Sequence, residues 1–128
     1  MTTAPKQRPK YYDLNLAHLP VPGLASIVHR ISGALLFFPA IPALLFLMQS
    51  TLGTEEGWQH WKEVLAQPAV KVIVLGFVWL YAHHFFAGIR YLLLDLHVGV
   101  ELDRARASAK IVFALGAVAT LLIGWRLW

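Results

Sequence analysis

The chain has 128 residues, of which 58% are hydrophobic and 14% charged, with a formal net charge of +4 and no cysteine. A soluble domain carries about 25% charged residues, so the balance excludes an ordinary water-facing surface, and the length is that of one domain. The lack of cysteine excludes disulfides, thiolate metal sites and cysteine nucleophiles.

Residues 1–22 read as a leader carrying Lys6, Arg8 and Lys10 against Asp13. The first long apolar run starts only after Arg30 and contains Pro39 and Pro42. It is too long for the apolar core of a signal peptide, so it is expected to be retained. The leader also lacks the Arg- and Ser-rich amphipathic character of an organelle transit peptide. A multi-pass protein of a bacterial inner (plasma) membrane is the expectation.

Ile31 to Thr54 contains no charged residue. About 20 apolar residues in helix cross a bilayer core, so a first span is expected over about 24–52. Pro39 and Pro42 are expected to kink it, which neighbouring helices can accommodate. A polar connection follows, with Glu55, Glu56, His60, Lys62, Glu63 and Pro68. The second span is expected over about 66–96, with Lys71 snorkelling to the interface. Another short polar stretch precedes a third span over about 105–127, whose far end carries Trp125 and Trp128 as an aromatic belt. The expected fold is all-α: one membrane-anchor domain over 1–128, an integral membrane bundle of three transmembrane helices in a lipid bilayer.

Charge asymmetry orients the bundle. Lys6, Arg8, Lys10 and Arg30 precede the first span, and Arg104, Arg106 and Lys110 lie in the second loop with Arg90 nearby. The first loop is net acidic. The positive-inside rule puts the N-terminus and second loop in the cytoplasm and the C-terminus on the outer side.

Ionisable residues inside spans are costly and mark functional positions. His84, Gly88, Tyr91 and Asp95 follow one another at spacings of four, three and four, along one helix face. A neutral imidazole in lipid suits an axial position on haem iron. Gly88, one turn from His84, would leave room for a flat macrocycle. His83 is rotated by about 100° and cannot reach the same iron from the same face. The same residues also fit a plainer role, in which both histidines hydrogen-bond to neighbouring helices.

Ser26, His29, Arg30 and Gly33 share a face at the entrance of the first span. A hydroxyl, an imidazole and a guanidinium in an apolar rim can hydrogen-bond a quinone carbonyl and supply protons. Arg30 could equally pair with a haem propionate. A helix cap at Ser26 followed by a snorkelling Arg30 accounts for the residue types as well. Phosphate loops, the Gly-x-Ser-x-Gly elbow and His-Glu-x-x-His are absent. The basic residues flank membrane spans, so nucleic acid is not an expected partner. His18, His60 and His97 fall in interfacial segments and read as solvated surface.

Arg8-Pro9, then Ala25-Ser26-Ile27-Val28-His29-Arg30-Ile31-Ser32-Gly33, then His84-x-x-x-Gly88-Ile89-Arg90-x-x-x-x-Asp95 resemble the cytochrome b556 subunits of succinate dehydrogenase, the larger membrane anchors of respiratory complex II. The resemblance covers nearly the whole chain. It implies a second, smaller three-helix anchor subunit, an iron–sulfur subunit and a flavoprotein subunit as partners. It further implies one haem b between the anchors, with an axial histidine from each. By motif position His84 corresponds to that metal ligand. Ser26 and Arg30 correspond to the ubiquinone site, and His29 and Arg30 also correspond to positions near the haem propionates. Asp95 falls on an acidic position of the motif. The family often has histidine where this chain has Tyr91, and a phenol can also donate to a propionate.

The resemblance thus implies a haem b- and quinone-binding anchor. It would pass electrons from succinate, via the iron–sulfur subunit, to ubiquinone, with no catalytic residue of its own and no flavin chemistry. Two other readings remain open: the anchor of a fumarate reductase, and a haem-free assembly or transport subunit whose polar residues only bind helices together.

Overall fold

Apolar length sets the architecture. The computed structural model describes residues 19–128, so Lys6, Arg8, Pro9, Lys10, Asp13 and His18 lie outside the described residues. Three helical spans, Val21–Leu52, Pro68–Asp95 and Leu102–Leu127, are long and apolar enough to cross a membrane. Backbone groups in hydrocarbon must be paired internally, which a helix alone achieves here.

The first span is built in three pieces. Helix α1 covers Val21–Leu35, a π-helical segment covers Leu36–Ala40, and α2 covers Ile41–Leu52. Pro39 lies inside the π segment and Pro42 follows at the start of α2, and each removes an N–H from the continuous helical ladder. The π turn is the local form in which the chain absorbs the prolines while staying helical.

The first loop is itself helical. Helix α3 spans Glu55–Ala66, and Thr54 caps it by accepting from the Gly57 N–H at 3.0 Å. Glu55 and Glu56 lie in its first turn, where the helix dipole favours them. Its Trp61 packs edge-on against Phe46 of α2. The polar connection expected from sequence is therefore an amphipathic helix lying against the end of the first span.

Helix α4 spans Pro68–Asp95 and α5 spans Leu102–Leu127. The end of α4 is a Schellman turn. Val98 N–H bonds to Leu93 O and His97 N–H to Leu94 O, with His97 at φ 60°. At the opposite end, Lys71 Nζ lies 5.2 Å from the Trp128 ring centroid, so the snorkelling lysine and the belt tryptophan meet.

Helix α4 is the hub: it packs most extensively on α5 and also on α1, and α1 touches α5. The seam is made of small residues: Ala25, Ala82, Ala87, Ala109 and Gly116 are buried. Without a hydrophobic drive between helices in lipid, close backbone approach supplies the packing. Gly116 is the clearest case, since a Cβ there would stand 3.5 Å from the His83 backbone. The outer faces carry exposed Leu, Ile, Phe and Val along all three spans, as lipid contact requires.

Candidate functional site

The α1–α4 contact brings two sequence-distant histidines together. The His29 and His84 rings stack with centroids 4.3 Å apart and planes 11° from parallel. Tyr91, two turns along α4 from His84, places its ring 5.1 Å from His29. His29, His84 and Tyr91 therefore form one cluster.

His84 is held by its Nδ1. That nitrogen lies 3.1 Å from the His29 carbonyl and 3.1 Å from Ser32 Oγ. A carbonyl only accepts, so the contact assigns the proton to Nδ1. Ser32 Oγ in turn donates to the same carbonyl at 2.9 Å. Nε2 of His84 is left with its lone pair. Backbone or hydroxyl partners on one ring nitrogen commonly fix a histidine whose other nitrogen binds metal.

Gly33 makes room for the His84 ring. A Cβ at Gly33 would stand 2.9 Å from His84 Cε1, closer than real side chains tolerate. Gly88 instead lies against His29, whose Nε2 would be 3.9 Å from a Cβ there. Clearance for the His84 ring itself comes from Gly33, on the facing helix. His84 also lines an open groove of about 380 Å³ with Gly33, Leu36, Phe37, Ala40 and Tyr81. The π segment forms part of that wall, a common place for π turns.

Ser26 and Arg30 sit one turn apart near the start of α1. Arg30 Nη2 donates to Ser26 Oγ at 3.2 Å. This leaves the Ser26 proton and the remaining Arg30 donors free for an incoming acceptor. Arg30 is exposed on the bundle surface and Ser26 half-buried. Asp95 ends α4 exposed.

His83 takes a different path. It is fully buried, stacked on Trp79 at 5.4 Å and tilted against Phe113 at 4.8 Å, with its backbone against Gly116. Neither ring nitrogen makes a hydrogen bond, although the Ala25 carbonyl lies nearby. It faces the α5 side and does not line the groove of His84.

Ser32 was not singled out by sequence reasoning as a site residue. Its signal was a hydroxyl inside a span, three residues after His29, where every polar group needs a partner. Residues 4–123 match the family described as succinate dehydrogenase/fumarate reductase transmembrane subunit. The chain belongs to that family. It is also 32% identical over 123 residues to the succinate dehydrogenase cytochrome b556 subunit of Coxiella burnetii (strain RSA 493 / Nine Mile phase I), a match covering 95% of this chain and 98% of that protein. Membership of this transmembrane family, with three spans, makes the chain a multi-pass bacterial membrane protein.

A b-type haem needs an imidazole whose ring nitrogen carries a free lone pair. Among the described residues no group of three or more His, Asp or Glu converges as a metal site. One imidazole with a free Nε2 is what an iron shared between two chains asks of each. The Tyr91 hydroxyl is buried with no partner, an orphan donor beside the histidine pair. These residues fit half of a haem site.

Proposed function

We propose that this chain is a haem b- and quinone-binding membrane anchor of a succinate dehydrogenase. In this reading it assembles with a flavoprotein, an iron–sulfur subunit and a second three-helix anchor. The N-terminus and the α4–α5 loop face the cytoplasm, as the charge distribution favours. The observation that carries the proposal is the fixed imidazole of His84, tied through Nδ1 to the His29 carbonyl and Ser32 with Nε2 free.

His84 would hold the haem iron, and a haem b shared with the second anchor would supply single-electron storage or relay. Ser32 and the His29 carbonyl hold the ligand ring in one tautomer. Tyr91, His29 and Arg30 would receive the propionates, and the Tyr91 hydroxyl, buried without a partner, would gain an acceptor.

Ser26 and Arg30 bind ubiquinone. The Ser26 hydroxyl donates to a quinone carbonyl while Arg30 holds the hydroxyl and adds charge-assisted donors. As electrons arrive from succinate through the iron–sulfur subunit, negative charge grows on the carbonyl oxygen. A guanidinium at that point stabilises it, and protons reach it from the aqueous rim. The relative that carries the cytochrome b556 name, matched over 98% of its length, supports succinate as the electron source.

The test is a split of activities. In the purified complex, Arg30→Leu is expected to slow ubiquinone reduction at least about tenfold, the value of a lost charge-assisted hydrogen bond. Succinate oxidation by an artificial dye acceptor should persist. Equal loss of both activities would show an assembly defect and remove Arg30 from the quinone site.

A further inference from the structure

A second site lies on the other side of α4. Arg90 is 6% exposed, and its guanidinium crosses the α4–α5 seam. Its Nε donates to Ser108 Oγ at 2.9 Å and its Nη2 to the Ala105 carbonyl at 3.3 Å. Five N–H donors sit on a guanidinium, so these bonds leave others unused. The ion pairs among the described residues are Arg104–Glu101 and Arg106–Asp103, and neither includes Arg90. Arg90 is thus a buried cation without an anion among the described residues. A buried charge lacking its counter-ion is among the costliest features a fold can carry.

The same guanidinium lines an open apolar groove of about 420 Å³ between α4 and α5. The groove is walled by Phe86, Ile89, Leu93, Ile111 and Leu115, with Ser108 beside the arginine and Arg104 at the loop end. From Ser108 to Leu115 the wall runs about 10 Å along the helix. It begins at the α4–α5 loop, hence at a membrane surface, and descends into the span. A cation and a hydroxyl at the surface end of an oily furrow are complementary to an amphiphile with an anionic head.

We infer that this groove is a binding site for an acidic phospholipid. The phosphodiester takes the free Arg90 donors, with Arg104 at the rim, and an acyl chain lies along Ile89, Ile111 and Leu115. Basic pockets between transmembrane helices bind anionic head groups in this way. The occupant would complete the α4–α5 seam and steady the Schellman turn at Val98. The site shares no residue with the histidine cluster, although Arg90 Cζ lies 5.3 Å from the Tyr91 ring centroid, and it does not depend on the haem reading.

The experiment uses the intact complex, stripped of lipid in detergent and then given phosphatidylglycerol, phosphatidylcholine or inorganic phosphate. Thermal unfolding and lipid retention by native mass spectrometry are the readouts. Phosphatidylglycerol is expected to raise the unfolding midpoint and be retained about tenfold better than phosphatidylcholine, as a charge-assisted contact implies. Phosphate alone should do neither.

Arg90→Gln should abolish the preference. Because that variant can fail to fold, Ala107→Trp, on the exposed groove wall, provides a second block and should also abolish retention with haem content unchanged. Equal effects of the two lipids would overturn the proposal. So would an effect of phosphate alone, full retention in either folded variant, or absence of retained lipid because a partner's carboxylate fills the place.

Discussion

A histidine in a membrane helix has two nitrogens to satisfy, and what happens to each decides its role. In His84 the Nδ1 proton is committed to the His29 carbonyl and Ser32, and the ring is wedged against Gly33. In His83 neither nitrogen is bonded and the ring is sealed among Trp79 and Phe113. The adjacent residues are chemically identical and separated only by about 100° of helix.

Two substitutions test the support of His84. Gly33→Ala puts a methyl 2.9 Å from Cε1, so the ring must move. Haem per flavin in the purified complex should fall severalfold, and an unchanged ratio would argue against the wedge. Ser32→Ala keeps the carbonyl bond but removes the hydroxyl. The haem should be retained with an altered midpoint potential, as loss of an outer-shell partner does. A potential equal to wild type would reduce Ser32 to packing.

At this scale the sequence pointed to His84, His29 and Arg30, because ionisable groups are rare inside spans, and to Ser26 because it shares a helix face with His29 and Arg30. It did not show Ser32 or the ring stack, since both depend on which face of α1 meets which face of α4. The unpaired state of Arg90 was equally invisible, because reading it as a boundary cation required only its position.

Among the elements, the three apolar spans were legible because length and the absence of charge suffice to mark them. Helix α3 was not, because it is amphipathic rather than apolar. Its signs were Thr54 before Glu55 and Glu56, a helix start, and Trp58, Trp61 and Leu65 at helical spacing. The π segment at Leu36–Ala40 was anticipated only as a kink, since prolines announce a departure from α geometry without saying which.

Packing between elements makes two further predictions. Gly116→Leu drives a side chain into the His83 backbone, and overpacking of this kind costs about 1–3 kcal/mol. The unfolding midpoint of the complex should fall, and no change would mean that the α4–α5 seam is looser than described. Lys71 and Trp128 should show a coupling of about 0.5–1 kcal/mol in a double-mutant cycle. Additive effects of Lys71→Met and Trp128→Leu would remove the cation–π contact from the account.

The whole molecule is a scaffold with unequal sides. Small residues close α4 against α5 and α1, while large apolar side chains remain exposed outside. One side carries His84, Gly33 and the groove beside the π segment, and another carries Arg90 and its furrow. On the proposed reading, the chain supplies half of a haem site and a rim for quinone. On the same reading a second anchor and the subunits that oxidise succinate would complete it. Family membership rests on a match over residues 4–123, which covers all three spans almost to the end of α5.

The central claim is that His84 holds haem b in the assembled complex. The direct measurement is the reduced-minus-oxidised absorbance spectrum of the purified complex, normalised to flavin, for wild type and His84→Leu. The account predicts a b-type spectrum in the wild type and its loss in an assembled His84→Leu complex that still oxidises succinate with a dye. An identical b-type spectrum and haem content in the variant would contradict it, as would a wild-type complex without b-type absorbance.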